Sequence, residues 1–192
     1  MDKNELHEAR TNPDFLKYLE QTRKDAIDLK NISAMYEVLD SYLIMDLQED
    51  KINELYENIL KVSFENIEKL VGENKKLQLK EDELYYVRSF YEHSIEKWSY
   101  DNFDGAKELL FILTQIVDDE VLLPSLNMHL IMCSLNIGLD EFYDKYVDIN
   151  KTNENEIYGY FITNYKIDVE KYLEEKKEVL NQEYKNLKHL MD

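Results

Sequence analysis

Apolar residues recur along this chain at three- and four-residue steps, the period of amphipathic helices and not of strands. The clearest run is Ile52, Leu55, Tyr56, Ile59, Leu60, Phe64, Ile67 and Leu70, which predicts a long helix with Gly72 where a C-cap belongs. Before it, Met35, Tyr36, Val38, Leu39, Tyr42, Leu43 and Met45 form a dense stripe that predicts a helix over 31–45. Asn12-Pro13-Asp14 has the chemistry of a helix start: a capping side chain, a proline at the first position, and an acid at the positive end of the dipole. The helix it opens, 13–30, carries only a thin stripe of Phe15, Leu16, Leu19, Ala26 and Leu29, which suits a surface position or a partner subunit.

The polar stretch Glu73–Lys80 reads as a connection. A helix over 81–98 follows, with Leu84, Val87, Tyr91, Ile95 and Trp98 on its apolar side, then one over 103–117. Pro124 opens a helix to about Asn136, Gly138 punctuates, and a short helix covers 139–149. Asn150–Asn155 (NKTNEN) is a polar loop, and 156–192 reads as helix to the end of the chain. In that last segment Val169, Leu173, Leu180, Tyr184, Leu187 and Met191 fall near a seven-residue spacing, a coiled-coil seam interrupted at Lys176.

The expected architecture is all-α and a single domain over 1–192. A terminal helix (1–30) precedes antiparallel hairpins over 31–72, 81–117 and 121–149, and a C-terminal helix (150–192) ends it. Composition supports this: only four glycines and two prolines are present, too few for the turns of an all-β or α/β chain of 192 residues. With 44% hydrophobic residues and fifteen tyrosines, enough apolar surface exists to offset chain entropy despite a charged fraction of 33%.

The second and third hairpins resemble tetratricopeptide repeats. Phe103-Asp104-Gly105-Ala106 stands like that family's segment opening the second helix, and Ile137-Gly138-Leu139-Asp140-Glu141-Phe142 like its glycine turn followed by the same segment. Ala106 and Phe142 lie 36 positions apart, near the family period of about 34 residues. The resemblance covers residues 81–149 and implies a short solenoid. Through Tyr91, Trp98, Phe103-Asp104, Ala106, Leu110-Phe111, Gly138 and Tyr143 the same region is similar to translocator chaperones of type III secretion, small acidic cytoplasmic helical proteins. The long C-terminal helix departs from that pattern. On the repeat register counted from Ala106, the resemblance implies that Arg88, Tyr91, Ile95 and Trp98 face a peptide-holding groove. The alternative is that the stripe is core against the next helix.

Charge and chemistry narrow the function. A net charge of −18 repels nucleic-acid phosphates and anionic lipid and favours a basic partner. The first residues, MDKNELHEAR, contain no apolar region of a secretory signal, and Leu109–Leu123 is too short and too interrupted to span a bilayer. The single cysteine, Cys133, excludes an internal disulfide and a thiolate-rich zinc site. These features predict a cytoplasmic protein without membrane insertion. His129 and Cys133 are four apart, a spacing metals use, but two ligands in an apolar run predict packed side chains. Asp118-Asp119-Glu120 lacks the spacing of a calcium loop and, at the end of a helix, opposes its dipole. No phosphate loop, HExxH or nucleophile elbow occurs.

The expected function is therefore non-enzymatic, with no cofactor and no metal: a chaperone or adaptor holding a segment of another protein, basic or extended and apolar. A homodimer is expected from the thin first stripe and the C-terminal seam. The competing reading is an acidic inhibitor or immunity-type neutraliser, or a nucleic-acid mimic, that blocks a basic protein.

Overall fold

The computed structural model describes residues 3–73 and 75–191. These form ten α-helices and two 3-10 turns, and the only β pairings among them are two isolated bridges. Met1 and Asp2 at the start of the predicted terminal helix, Asn74 in the predicted connection and Asp192 at the end of the predicted last helix lie outside the described residues. The chain divides into two compact units, residues 1–69 and 70–192.

In the first unit the predicted terminal helix 1–30 is divided at Asn12 into α1 (Lys3–Thr11) and α2 (Pro13–Asp28), which precede α3 (Ile32–Ile44) and α4 (Glu49–Gly72, to Lys69 in this unit). Asn12 caps α2 as its chemistry requires, its side-chain oxygen accepting from the N–H groups of Asp14 (3.0 Å) and Phe15 (3.1 Å). Leu19 and Ala26 of α2, Ile32, Met35, Leu39 and Tyr42 of α3, and Leu55 and Ile59 of α4 are buried. A polar network ties α2 to α4. The nearly buried Arg23 guanidinium bridges Glu20 and Glu54, and Glu20 also receives Lys51 at 2.7 Å and the Tyr42 hydroxyl at 3.3 Å. Hydrogen bonding from Arg23 outweighs desolvation and holds the Glu20 carboxyl well below its ordinary range.

The second unit holds α5 (Glu81–Ser99), α6 (Phe103–Ile116), α7 (Leu122–Ser134), α8 (Leu139–Tyr146), α9 (Val169–Glu175) and α10 (Lys177–Leu187). Helix α6 packs against both α5 and α7, α8 packs on α5, and α9 and α10 pack on α7. The predicted seam is broken at Lys176 into these last two helices, and its Leu187 is buried within this unit. At the α5–α6 turn, a Cβ on Gly105 would stand 2.7 Å from Lys97 Cδ and 3.0 Å from the capping Asn102 amide. A larger residue there requires the flexible Lys97 side chain to move aside.

The scarcity of glycine elsewhere has a structural answer. Four helices end in Schellman motifs whose left-handed residue is Lys30, Asp46, Asp101 or Asn136, with φ of 52°, 50°, 55° and 54°. In each, that residue's N–H bonds the carbonyl three back and the next N–H the carbonyl five back: Lys30 to Ile27, Asn31 to Ala26. Asp and Asn tolerate this conformation better than other non-glycine residues. Asn31 and Asn102 then cap the following helices at once, which keeps the connections short.

The segment 156–168 corrects the sequence reading. It is not the start of a long helix but a 3-10 turn (Glu156–Tyr160) followed by extended chain that leads to α9, capped by Asp168. Ile157, Phe161 and Tyr165 are four apart, a separation that fits a helix face and an extended face equally. Gly159 and the β-branched pair Ile162-Thr163 weaken the helical alternative.

Candidate functional site

The four residues singled out by the repeat register lie on α5 of the second unit. Trp98 is wholly buried, its ring centroid 4.9 Å from Phe142 and 5.7 Å from His129, and its indole N–H donates to the Ile137 carbonyl at 2.8 Å. Tyr91 and Arg88 are buried too, and Ile95 is half-buried. Arg88 and Tyr91 meet the chain's own residues 160–162, whereas Trp98 packs beside His129 and Phe142. The indole and phenol are core residues, the indole against His129 of α7 and Phe142 of α8 and the phenol against Phe161.

The segment 156–166 is held through its backbone. The Ile162 N–H donates to the Tyr91 hydroxyl at 2.9 Å, and the Ile162 carbonyl accepts from the Tyr165 hydroxyl at 2.6 Å. Beyond it, Val147 and Tyr165 form an antiparallel bridge, with Asp148 N–H on the Asn164 carbonyl (3.0 Å) and Lys166 N–H on the Tyr146 carbonyl (2.8 Å). Only Phe161 and Tyr165 of this stretch are fully buried. Phe161 meets Tyr91 edge-on at 5.1 Å, and the Arg88 guanidinium sits 4.2 Å over the Tyr160 ring while its Nε donates to Glu92.

His129 lies at the floor among Tyr91, Trp98, Phe142 and Tyr165. Its Nε2 is 3.0 Å from the Tyr165 hydroxyl. The Tyr165 hydroxyl has one proton for two neighbours, His129 Nε2 and the Ile162 carbonyl, so the His129 tautomer follows whichever of them it serves. Nδ1 has no hydrogen-bond partner among the described residues. Burial alone drives the imidazole down to about 3, so it is neutral at neutral pH. Burial likewise pushes the Tyr91, Tyr165 and Cys133 groups up, and all three stay protonated. His129 and Cys133 thus share α7 as core residues, and no cluster of three or more His, Cys, Asp or Glu suited to a metal occurs among the described residues.

The acidic run before α7 also finds its account here. Asp119 accepts from the N–H groups of Val121 (3.0 Å) and Leu122 (2.7 Å), so it caps the start of α7 and does not oppose the end of α6. It also receives the Tyr158 hydroxyl at 3.0 Å, pinning the near end of the segment 156–166.

A concavity of about 440 Å³ opens between the end of α7 and α10 beside Lys107, Ser134, Glu178 and Glu183. Its charges answer one another: Lys107 Nζ is 3.3 Å from Glu183 and 3.0 Å from Asp104. Sequence reasoning missed both Phe161 and Tyr165, whose only signal was an aromatic run, Tyr158 to Tyr165, with no helical partner stripe. No family model, curated protein or solved structure matches the chain, and no described helix is long and apolar enough to cross a membrane.

Proposed function

We propose that this protein is a non-enzymatic, cytoplasmic protein-binding module, a chaperone or adaptor that holds an extended segment of another protein. The observation that carries the reading is the way α5, α7 and α8 receive residues 156–166: two aromatic anchors and backbone hydrogen bonds, the means by which proteins bind extended peptides. In this reading α5–α8 act as a short tetratricopeptide-like scaffold, with Arg88, Tyr91, Ile95 and Trp98 as its inner wall. A homodimer through the first unit accompanies it, since Tyr18 on α2 and Leu29 at its end are 65% and 77% exposed.

The competing reading, an acidic neutraliser of a basic protein, draws on the net charge of −18 and on the exposed carboxylates of Asp140, Glu141 and Asp144 on α8. Copurification from the native cytoplasm, followed by affinity measurement over a range of salt, separates the two. Apolar anchoring predicts affinity that changes little with salt, whereas an electrostatic cap loses it steeply. A chain that retains no protein partner under either condition would remove the first reading and the second together. For the dimer, sedimentation of Tyr18→Glu with Leu29→Glu should show a monomer where the parent chain pairs. Deleting residues 1–30 is the poorer test, because it strips buried Leu19, Arg23 and Ala26 from the first unit.

A further inference from the structure

We infer that residues 156–166 are a displaceable strap, and that the groove beneath them takes an extended partner segment of the same chemistry: an aromatic residue followed four positions later by tyrosine. The inference rests on the proposed binding function and names the partner's chemistry and the regulation of the same site.

Four observations carry it. The strap contributes no helix–helix packing, and its hold concentrates in Phe161 and Tyr165. Most of that hold is blind to sequence, since Tyr91, Tyr146 and Asp148 meet backbone groups of Ile162, Lys166 and Asn164. Any extended chain can supply those groups, so the two aromatic side chains are what a foreign segment must match. The groove floor also keeps a polar atom that the strap leaves unused, His129 Nδ1, buried and without a partner among the described residues. A ligand bearing one further hydrogen-bonding group would satisfy it. Finally, Tyr143 and Ile149 stand beside the strap's β-bridge at 39% and 77% exposure, apolar surface that the strap does not cover and a longer segment can.

The test uses the full chain and a fluorescein-labelled peptide of residues 155–168, followed by anisotropy. Phe161→Ala with Tyr165→Ala removes the strap's anchors while leaving every groove residue in place. This variant should bind the peptide at least about tenfold more tightly than the parent chain, whose tethered strap competes at high effective concentration. Adding Tyr91→Phe to the variant should weaken peptide binding, because the Ile162 N–H loses its acceptor. A helical, folded double variant that ignores the peptide overturns the inference, as does equal binding by variant and parent. Concentration-dependent pairing of parent chains through exchanged straps, seen by sedimentation and lost in the double variant, would make a second copy the occupant and overturn it as well. Should the double variant lose its helical circular dichroism, Tyr165→Phe makes the same comparison, since it removes only the hydroxyl between His129 and Ile162. A natural partner bound equally by parent and double variant would sink the strap and leave the binding function standing. Absence of any natural partner would sink that function while the peptide titration still decides the strap.

Discussion

Lowering the pH should destabilise the second unit through one residue, His129. Its imidazole is completely buried, and among the described residues its hydrogen bonding is limited to Nε2 and a tyrosine hydroxyl. Burial depresses its folded value from the ordinary 6.5 to about 3. Between those values the unfolded chain binds the proton and the folded chain does not, so stability is full above 6.5 and is lost as pH falls toward 3. At about 1.4 kcal/mol for each unit, moving from pH 7.5 to pH 4.5 crosses roughly two units of that window and removes about 3 kcal/mol. Urea unfolding at the two pH values, followed by the emission of Trp98, reads this unit directly, because the only tryptophan lies beside the imidazole. Acid also affects carboxylates such as Glu20, held low by Arg23 in the first unit, and the control for that is His129→Gln. The variant is expected to be less stable at pH 7.5, yet to lose about 2–3 kcal/mol less on acidification than the parent. Equal acid sensitivity in the two proteins would refute the reasoning and place the titration elsewhere.

Two further outcomes follow from packing and backbone geometry. Trp98→Ala should cost about 3–5 kcal/mol, since it empties a filled site and leaves the Ile137 carbonyl without its donor; urea unfolding followed by circular dichroism measures it, and a loss below about 1 kcal/mol would return the indole to the surface. Asp46→Val should cost about 1–2 kcal/mol at φ 50°, whereas Asp46→Gly should be neutral or stabilising, and equal thermal shifts for the pair would contradict the left-handed cap.

How much of this was legible in the sequence depends on which physics set each feature. The stripes of α3 to α7 and the cap at Asn12 are local, and their helices lie within a few residues of the predicted bounds. Pro124 is the third residue of α7 and not its first, because Asp119 caps the helix from further upstream. The terminal helix was expected over 1–30 and is two helices, α1 and α2; in α1 Leu6 and Ala9 are the only apolar residues, so no stripe marked it as a separate element. The strap was illegible for a different reason. Phe161 and Tyr165 have a spacing that serves helix and extended chain alike, and the groups that decide between them, Tyr91, His129 and Val147, are distant in sequence. The Arg88, Tyr91, Ile95 and Trp98 stripe was legible as a face. What covers it was not, since that depends on a tertiary contact 71 residues away.

Amide hydrogen exchange tests most directly whether the strap is separable from the scaffold that holds it. The N–H groups of Ile162 and Lys166 are bonded to Tyr91 and Tyr146, and those of α6 and α7 lie within the helical core. The account predicts that Ile162 and Lys166 exchange together by a local opening, well before the central amides of α6 and α7, and that a bound partner segment changes their rate. Exchange of the strap amides only at the rate of global unfolding, level with Leu110 and Leu130, would contradict it.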